Sequence, residues 1–81
     1  MSGFEKKCHE AREFTAGSRY LDANVHAELS DVVNHLVTRC PTLGYEYLSI
    51  LLGDWALQFR LENQAEIDAM LLRALERRGA A

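Results

Sequence analysis

The sequence predicts an all-α protein, a small bundle of three to four helices completed by homodimerisation, and three observations carry that reading. Apolar residues recur at intervals of three and four along most of the chain instead of alternating. Glycine (5) and proline (1) are scarce among 81 residues, so long stretches run without a helix breaker. A hydrophobic share of 48% supplies a packed core and argues against disorder, yet a chain this short buries a modest fraction of its unfolded surface and gains from association.

Ser2-Gly3-Phe4-Glu5 has the form of a capping box, and Phe4, Cys8, Ala11 and Phe14 or Thr15 follow at helical spacing until Gly17 offers a stop. These residues predict a first helix over 3–16 with one narrow apolar face. Glu5, Lys6, Lys7, Glu10, Arg12 and Glu13 fill its other positions.

Beyond Gly17-Ser18, Leu21, Val25, Leu29, Val32, Leu36 and Cys40 trace a stripe widened by Val33 and Val37, and Pro41 closes it. A helix over 22–39 follows. The β-branched pair Val32-Val33 does not signal a strand, because Asn34-His35 breaks the two-residue period while the helical stripe continues.

Thr42-Leu43-Gly44 forms a turn, and the crowded apolar stretch from Tyr45 to Leu61 predicts a third helix over 44–61. Asn63-Gln64-Ala65-Glu66 gives a second capping signal, and Ile67, Met70, Leu71, Ala74 and Leu75 mark a fourth helix over 64–78. Its last turns carry Arg73, Arg77 and Arg78, which suit the negative end of the helix dipole. The rival is a single rod from 44 to 78. On a continuous wheel, however, Ile67, Leu71 and Ala74 would align with Ser49, Gly53 and Arg60, so a turn is expected near Glu62-Asn63.

Nine Lys and Arg against twelve Asp and Glu give a net charge of −3, the wrong sign for general nucleic-acid binding. The N-terminus lacks the apolar run of a signal peptide and no stretch approaches a membrane span, so a cytoplasmic location without membrane association is expected. Cys8 and Cys40 lie far apart with no ligand-type spacing, as expected for free thiols in a reducing compartment.

No catalytic apparatus is legible, and no cofactor or metal is expected. His9, His26 and His35 include no pair at i,i+4, and adjacent residues such as Cys8-His9-Glu10 point in different directions on a helix. A thiol- or metal-dependent activity there is the weakest alternative. The turn at Pro41-Thr42-Leu43-Gly44 has helix-turn-helix spacing, but Tyr45, Tyr47, Leu48, Ile50 and Leu51 after it do not suit a recognition helix. The stronger alternative is a small nucleic-acid-associated factor that places Arg73, Arg77 and Arg78 on phosphates.

The third helix has two apolar faces. At 100° per residue, Ile50, Leu57 and Leu61 fall on one side, while Leu48, Leu52, Trp55 and Phe59 fall opposite. Left uncovered, the second group would present roughly 500 Å² of apolar surface, the upper limit for a soluble monomer. Covering it would contribute on the order of 10 kcal/mol before entropic costs. The chain's own helices, a homodimer seam or another protein could each provide the cover, and the wheel leaves open which face turns inward. The interface expected from this argument comprises Tyr45, Tyr47, Leu48, Leu52, Trp55 and Phe59, with the aromatic residues as anchors.

With its Gly44-Tyr45-Glu46-Tyr47-Leu48 entry and Leu57-Gln58-Phe59-Arg60-Leu61-Glu62 exit, the chain resembles the small helical quorum-sensing anti-activators of the QslA type. The resemblance implies a helical dimer that binds the ligand-binding domain of a LuxR-type transcription factor and blocks its dimerisation, without cofactor or chemistry. It assigns no role to any individual residue.

Overall fold

The computed structural model describes residues 2–59 and 64–80, with the backbone alone for Ser2, Gln58, Phe59 and Ala80. Four helices follow one another, α1 (Ser2–Ala23), α2 (Leu29–Arg39), α3 (Tyr45–Phe59) and α4 (Gln64–Ala80), and the described residues include no strand. The turn expected near Glu62-Asn63 lies outside the described residues. That α3 and α4 pack against one another as separate helices excludes the single rod.

The first two boundaries differ from expectation. The first helix does not stop at Gly17 but runs on to Ala23, and the second begins at Leu29 instead of residue 22. Gly17 sits in ordinary helical backbone with no positive φ. A Cβ there would come within 3.1 Å of Leu51 Cδ1 and 3.2 Å of Leu36 Cδ2, so the glycine is a notch into which α2 and α3 pack. The stop comes from Asn24, whose Nδ2 donates to the Tyr20 carbonyl at 2.8 Å while its backbone amide donates to Leu21 at 3.1 Å. A short polar side chain competing for helix carbonyls ends α1 without any glycine or proline.

Residue pairings fix the sense of each helix. Glu13 meets Thr42, Gly17 faces Leu36 and Tyr20 stacks on His35, so α1 and α2 are antiparallel. Phe14 lies against Tyr47, Gly17 against Leu51 and Asn24 against Trp55, so α1 and α3 run the same way. Arg78 near the end of α4 reaches Val37 and Cys40 at the end of α2, so these two helices run the same way and the chain goes up, down, up and down, with no close backbone approach between α1 and α4 among the described residues. At 22 residues, roughly 33 Å, α1 is longer than its neighbours, and its residues from Gly3 to His9 are all exposed.

The core is a single cluster. Leu21, Val32, Val33, Leu36, Leu43, Leu48, Leu52, Trp55, Ile67 and Leu71 are all buried, with Phe14, Tyr20, Met70 and Leu75 closing its edges. No polar or charged residue among those described is buried. The α2 stripe read from the sequence is accordingly the inward face of that helix, from Leu29 through Val37.

The turn between α2 and α3 is gripped from both flanks. Glu13 Oε1, from α1, accepts the backbone amides of Thr42 at 2.8 Å and Leu43 at 3.3 Å. From α4, Arg78 donates through Nη1 to the carbonyls of Val37 (3.3 Å) and Cys40 (3.2 Å), and through Nη2 to Leu43 (2.9 Å). An acid thus caps amides and a base caps carbonyls at the helix ends, in addition to the bond that the Leu43 amide makes to the Cys40 carbonyl at 3.1 Å within the turn. Between them the buried Cys40 thiol donates to the Glu13 carbonyl at 3.6 Å. Burial and the neighbouring Glu13 carboxylate push its pKa up, against an opposing pull from Arg78.

Candidate interaction surface

The choice between the two faces of α3 is settled by burial. Leu48, Leu51, Leu52, Trp55 and Ala56 turn into the core, and Trp55 is 2% exposed with its indole N–H donating to the Asn24 carbonyl at 3.2 Å. Leu48, Leu52 and Trp55 are thus covered by the chain's own helices, which corrects their expected place on an interface. The reason is geometric: α1, α2 and α4 all pack on α3, so a central helix has cover for a wide arc without a second molecule. Phe59's side chain lies outside the described residues. Tyr45 and Tyr47 are exposed, on the α4 and α1 edges of α3 respectively, with Tyr47 edge-on to Phe14 at 6.0 Å between centroids and 78° between planes.

The opposite face is left uncovered. Ile50 is 52% exposed and Leu57 86%, one on each side of Gly53 along the same outer stripe. Of the described large apolar residues that are exposed, four (Tyr45, Tyr47, Ile50 and Leu57) belong to α3; Phe4 and Leu72 belong to α1 and α4, and none to α2. Exposed apolar surface is therefore concentrated on one helix, and a soluble protein spreads such residues singly unless they meet something.

A groove lies on each side of this ridge, and Ile50 lines both. One, of about 470 Å³, runs between α1 and α3 past Lys7, Ala11, Phe14 and Tyr47. The other, of about 910 Å³, runs between α3 and α4. Ser49, Gly53 and Ala56 are its small residues at i, i+4 and i+7, Tyr45, Ile50, Leu57 and Ile67 are its large apolar ones, and Asp54 and Asp68 bring carboxylates. Gln64 Nε2 donates to Asp68 at 3.0 Å, a neutral partner that leaves the charge in place. Glu46 is exposed on the same outer face of α3. Sequence reasoning registered Ile50 and Leu57 as one of two candidate faces but missed the grooves. The Ser49-Gly53-Ala56 spacing was the available signal.

The far side of the molecule is polar. Ser30, Asn34, Met70, Arg73, Glu76 and Arg77 line a groove of about 550 Å³ between α2 and α4. Arg73 and Arg77 are exposed there, whereas Arg78 is committed to three carbonyls. Of the three arginines in the nucleic-acid alternative, one therefore has a structural task.

The remaining candidate groups are dispersed. Cys8 and His9 are exposed on the first turns of α1, and Cys40 is buried against the same helix at Glu13, more than a turn further along. Among the described residues, no three of His, Cys, Asp and Glu converge on one point. His35 stacks on Tyr20 at 3.6 Å and 4° between planes, and burial followed by repulsion from Arg39 lowers its pKa. No described helix is long and apolar enough to cross a membrane. No protein-family model matches the chain, and no characterised protein or solved structure is significantly similar to it.

Proposed function

We propose that this chain is a non-enzymatic regulator that acts by docking another protein on the outer face of α3. The observation that carries the reading is the uncovered Ile50–Leu57 stripe with a groove on either side, on a helix whose other face already completes the core. The exposed part of apolar residues outside a finished core adds little to the fold and is available to a partner.

Charge favours a dissimilar partner over a second copy. A symmetric dimer would set this face against itself and bring Glu46 and Asp54 of one molecule towards the same carboxylates of the other. The resemblance to the QslA-type anti-activators supplies a concrete candidate, a LuxR-type transcription factor whose dimerisation the bound chain would block. Competition of that kind needs only a folded surface and a matching patch.

The test is a reporter driven by a LuxR-type regulator, with the chain co-expressed. The proposal expects lower output with the native chain and restored output with Ile50→Asp/Leu57→Asp, both proteins remaining helical by circular dichroism. Equal repression by the native chain and the double variant would remove the outer face from the mechanism.

A further inference from the structure

Among the described residues, none packs closely enough on Gly53 to require a glycine there. A Cβ at Gly53 would meet, among those residues, only Gln64 Oε1, at an ordinary 3.7 Å, whereas at Gly17 a Cβ would press on two leucine methyls. Glycine inside a helix is unfavourable because it adds backbone freedom to the unfolded chain, and at Gly17 close packing explains it. At Gly53 the described residues offer no such explanation. The residue lies in the α3/α4 groove with the half-buried Ser49 one turn before it on the same helix, where missing side chains leave room for an approaching backbone.

The walls of that groove specify the visitor. Tyr45, Ile50 and Leu57 ask for an apolar ridge, and Asp54 and Asp68, with Glu46 on the same outer face of α3, ask for positive charge beside it. Among the described lining residues of this groove there is no lysine or arginine to neutralise them. Small residues at i and i+4, Ser49 and Gly53, permit backbones to approach as they do where helices cross closely. We infer that the partner's contribution is an amphipathic α-helix with Lys or Arg flanking its apolar ridge, laid in the α3/α4 groove and crossing α3 at Gly53. The inference rests on the docking role proposed above and names its ligand.

A glycine kept for close approach has opposite effects in the two states. Gly53→Ala, free of its helix penalty, raises Tm by about 4–8 °C, the shift expected for that propensity difference in a domain this size. Gly53→Leu fills the groove and blocks the partner helix.

The test uses two synthetic 20-residue helical peptides titrated calorimetrically into the full chain at physiological salt. One has a Leu/Ala ridge flanked by Lys, the other the same ridge flanked by Glu. Saturable one-to-one binding of the Lys peptide alone is expected, at least tenfold weaker for Gly53→Leu and for Ile50→Asp. Ile50→Asp adds negative charge, so unaltered or tighter binding by that variant would reduce the effect to bulk electrostatics and overturn the inference. It is equally overturned by absence of binding, by equal binding of the Glu peptide, or by Gly53→Leu that binds like the native chain. A native dimer that Gly53→Leu converts to a monomer in light scattering would assign the groove to a second copy instead. If the peptide fails while Ile50→Asp/Leu57→Asp still relieves repression, the docking face survives and only the basic helix falls; failure of both removes the face as well.

Discussion

Replacing Arg78 with alanine removes three charge-assisted hydrogen bonds, at 3.3, 3.2 and 2.9 Å, from the carbonyls that end α2 and open the turn to α3. Bonds to a charged donor contribute roughly 1.5–3 kcal/mol each when buried. Here the arginine is half-buried and water can replace part of the loss, so the three together are worth about 2 kcal/mol. In a domain of this size that lowers Tm by roughly 8–16 °C. Thermal and urea unfolding followed by circular dichroism measure it directly, with Arg77→Ala, exposed one residue away, as the control that changes stability by under about 0.5 kcal/mol. The Arg78→Ala/Glu13→Ala double mutant should show coupling, carried by the turn that both side chains hold and by the attraction between the two charges themselves. The reasoning is refuted if Arg78→Ala is as stable as the native chain, or if Arg77→Ala costs as much.

Four further outcomes follow from the geometry. Leu52→Ala, at a fully buried site on the inward face of α3, costs roughly 2–5 kcal/mol by urea denaturation; a neutral result would return that face to the surface. Gly17→Val destabilises by about 1–3 kcal/mol, because its Cβ already falls 3.1 Å from Leu51 Cδ1, and a stabilised variant would contradict the notch. His35 has a depressed pKa in the fold, so the unfolded chain binds more protons near the ordinary imidazole value. Its contribution is therefore present above about pH 6.5 and lost as pH falls below it, and His35→Gln flattens that part of the stability profile. Thiol labelling of the native protein modifies the exposed Cys8 at once and the buried Cys40 only at the rate of opening, while equal rates would mean that the turn is not held.

The helical stripes were legible because they report which residues are buried, and burial is what periodicity encodes. Val32, Leu36, Ile67, Leu71 and Ala74 were readable for that reason. The end of α1 was not. Leu21, Val25 and Leu29 keep helical spacing across a connection that is not helical, and the stop depends on where one asparagine side chain finds a carbonyl. Gly17 was misread because a glycine that ends a helix and one that admits a neighbour look alike in sequence, and only the positions of Leu36 and Leu51 distinguish them.

For the site, the sequence exposed the two-faced character of α3 but gave the larger residues to the interface. Trp55, Leu48 and Leu52 carry much apolar area, which suits them to an interface. The same property makes them the best core, and once α1 and α4 cover them from either flank, the smaller stripe of Ile50 and Leu57 is what remains outside. The roles of Glu13 and Arg78 were hidden for a different reason, since each acts on backbone atoms about 30 or more residues away that no local pattern connects.

The central claim is that the outer face of α3 meets another protein. A photo-crosslinking residue placed at Leu57 in living cells tests it most directly, with one at Asn34 on the polar face of α2 as the control. The account predicts an adduct at position 57 heavier than the chain and not a simple doubling of its mass, absent at position 34 and suppressed by Ile50→Asp. No adduct at position 57, or equal adducts at both positions, would contradict it.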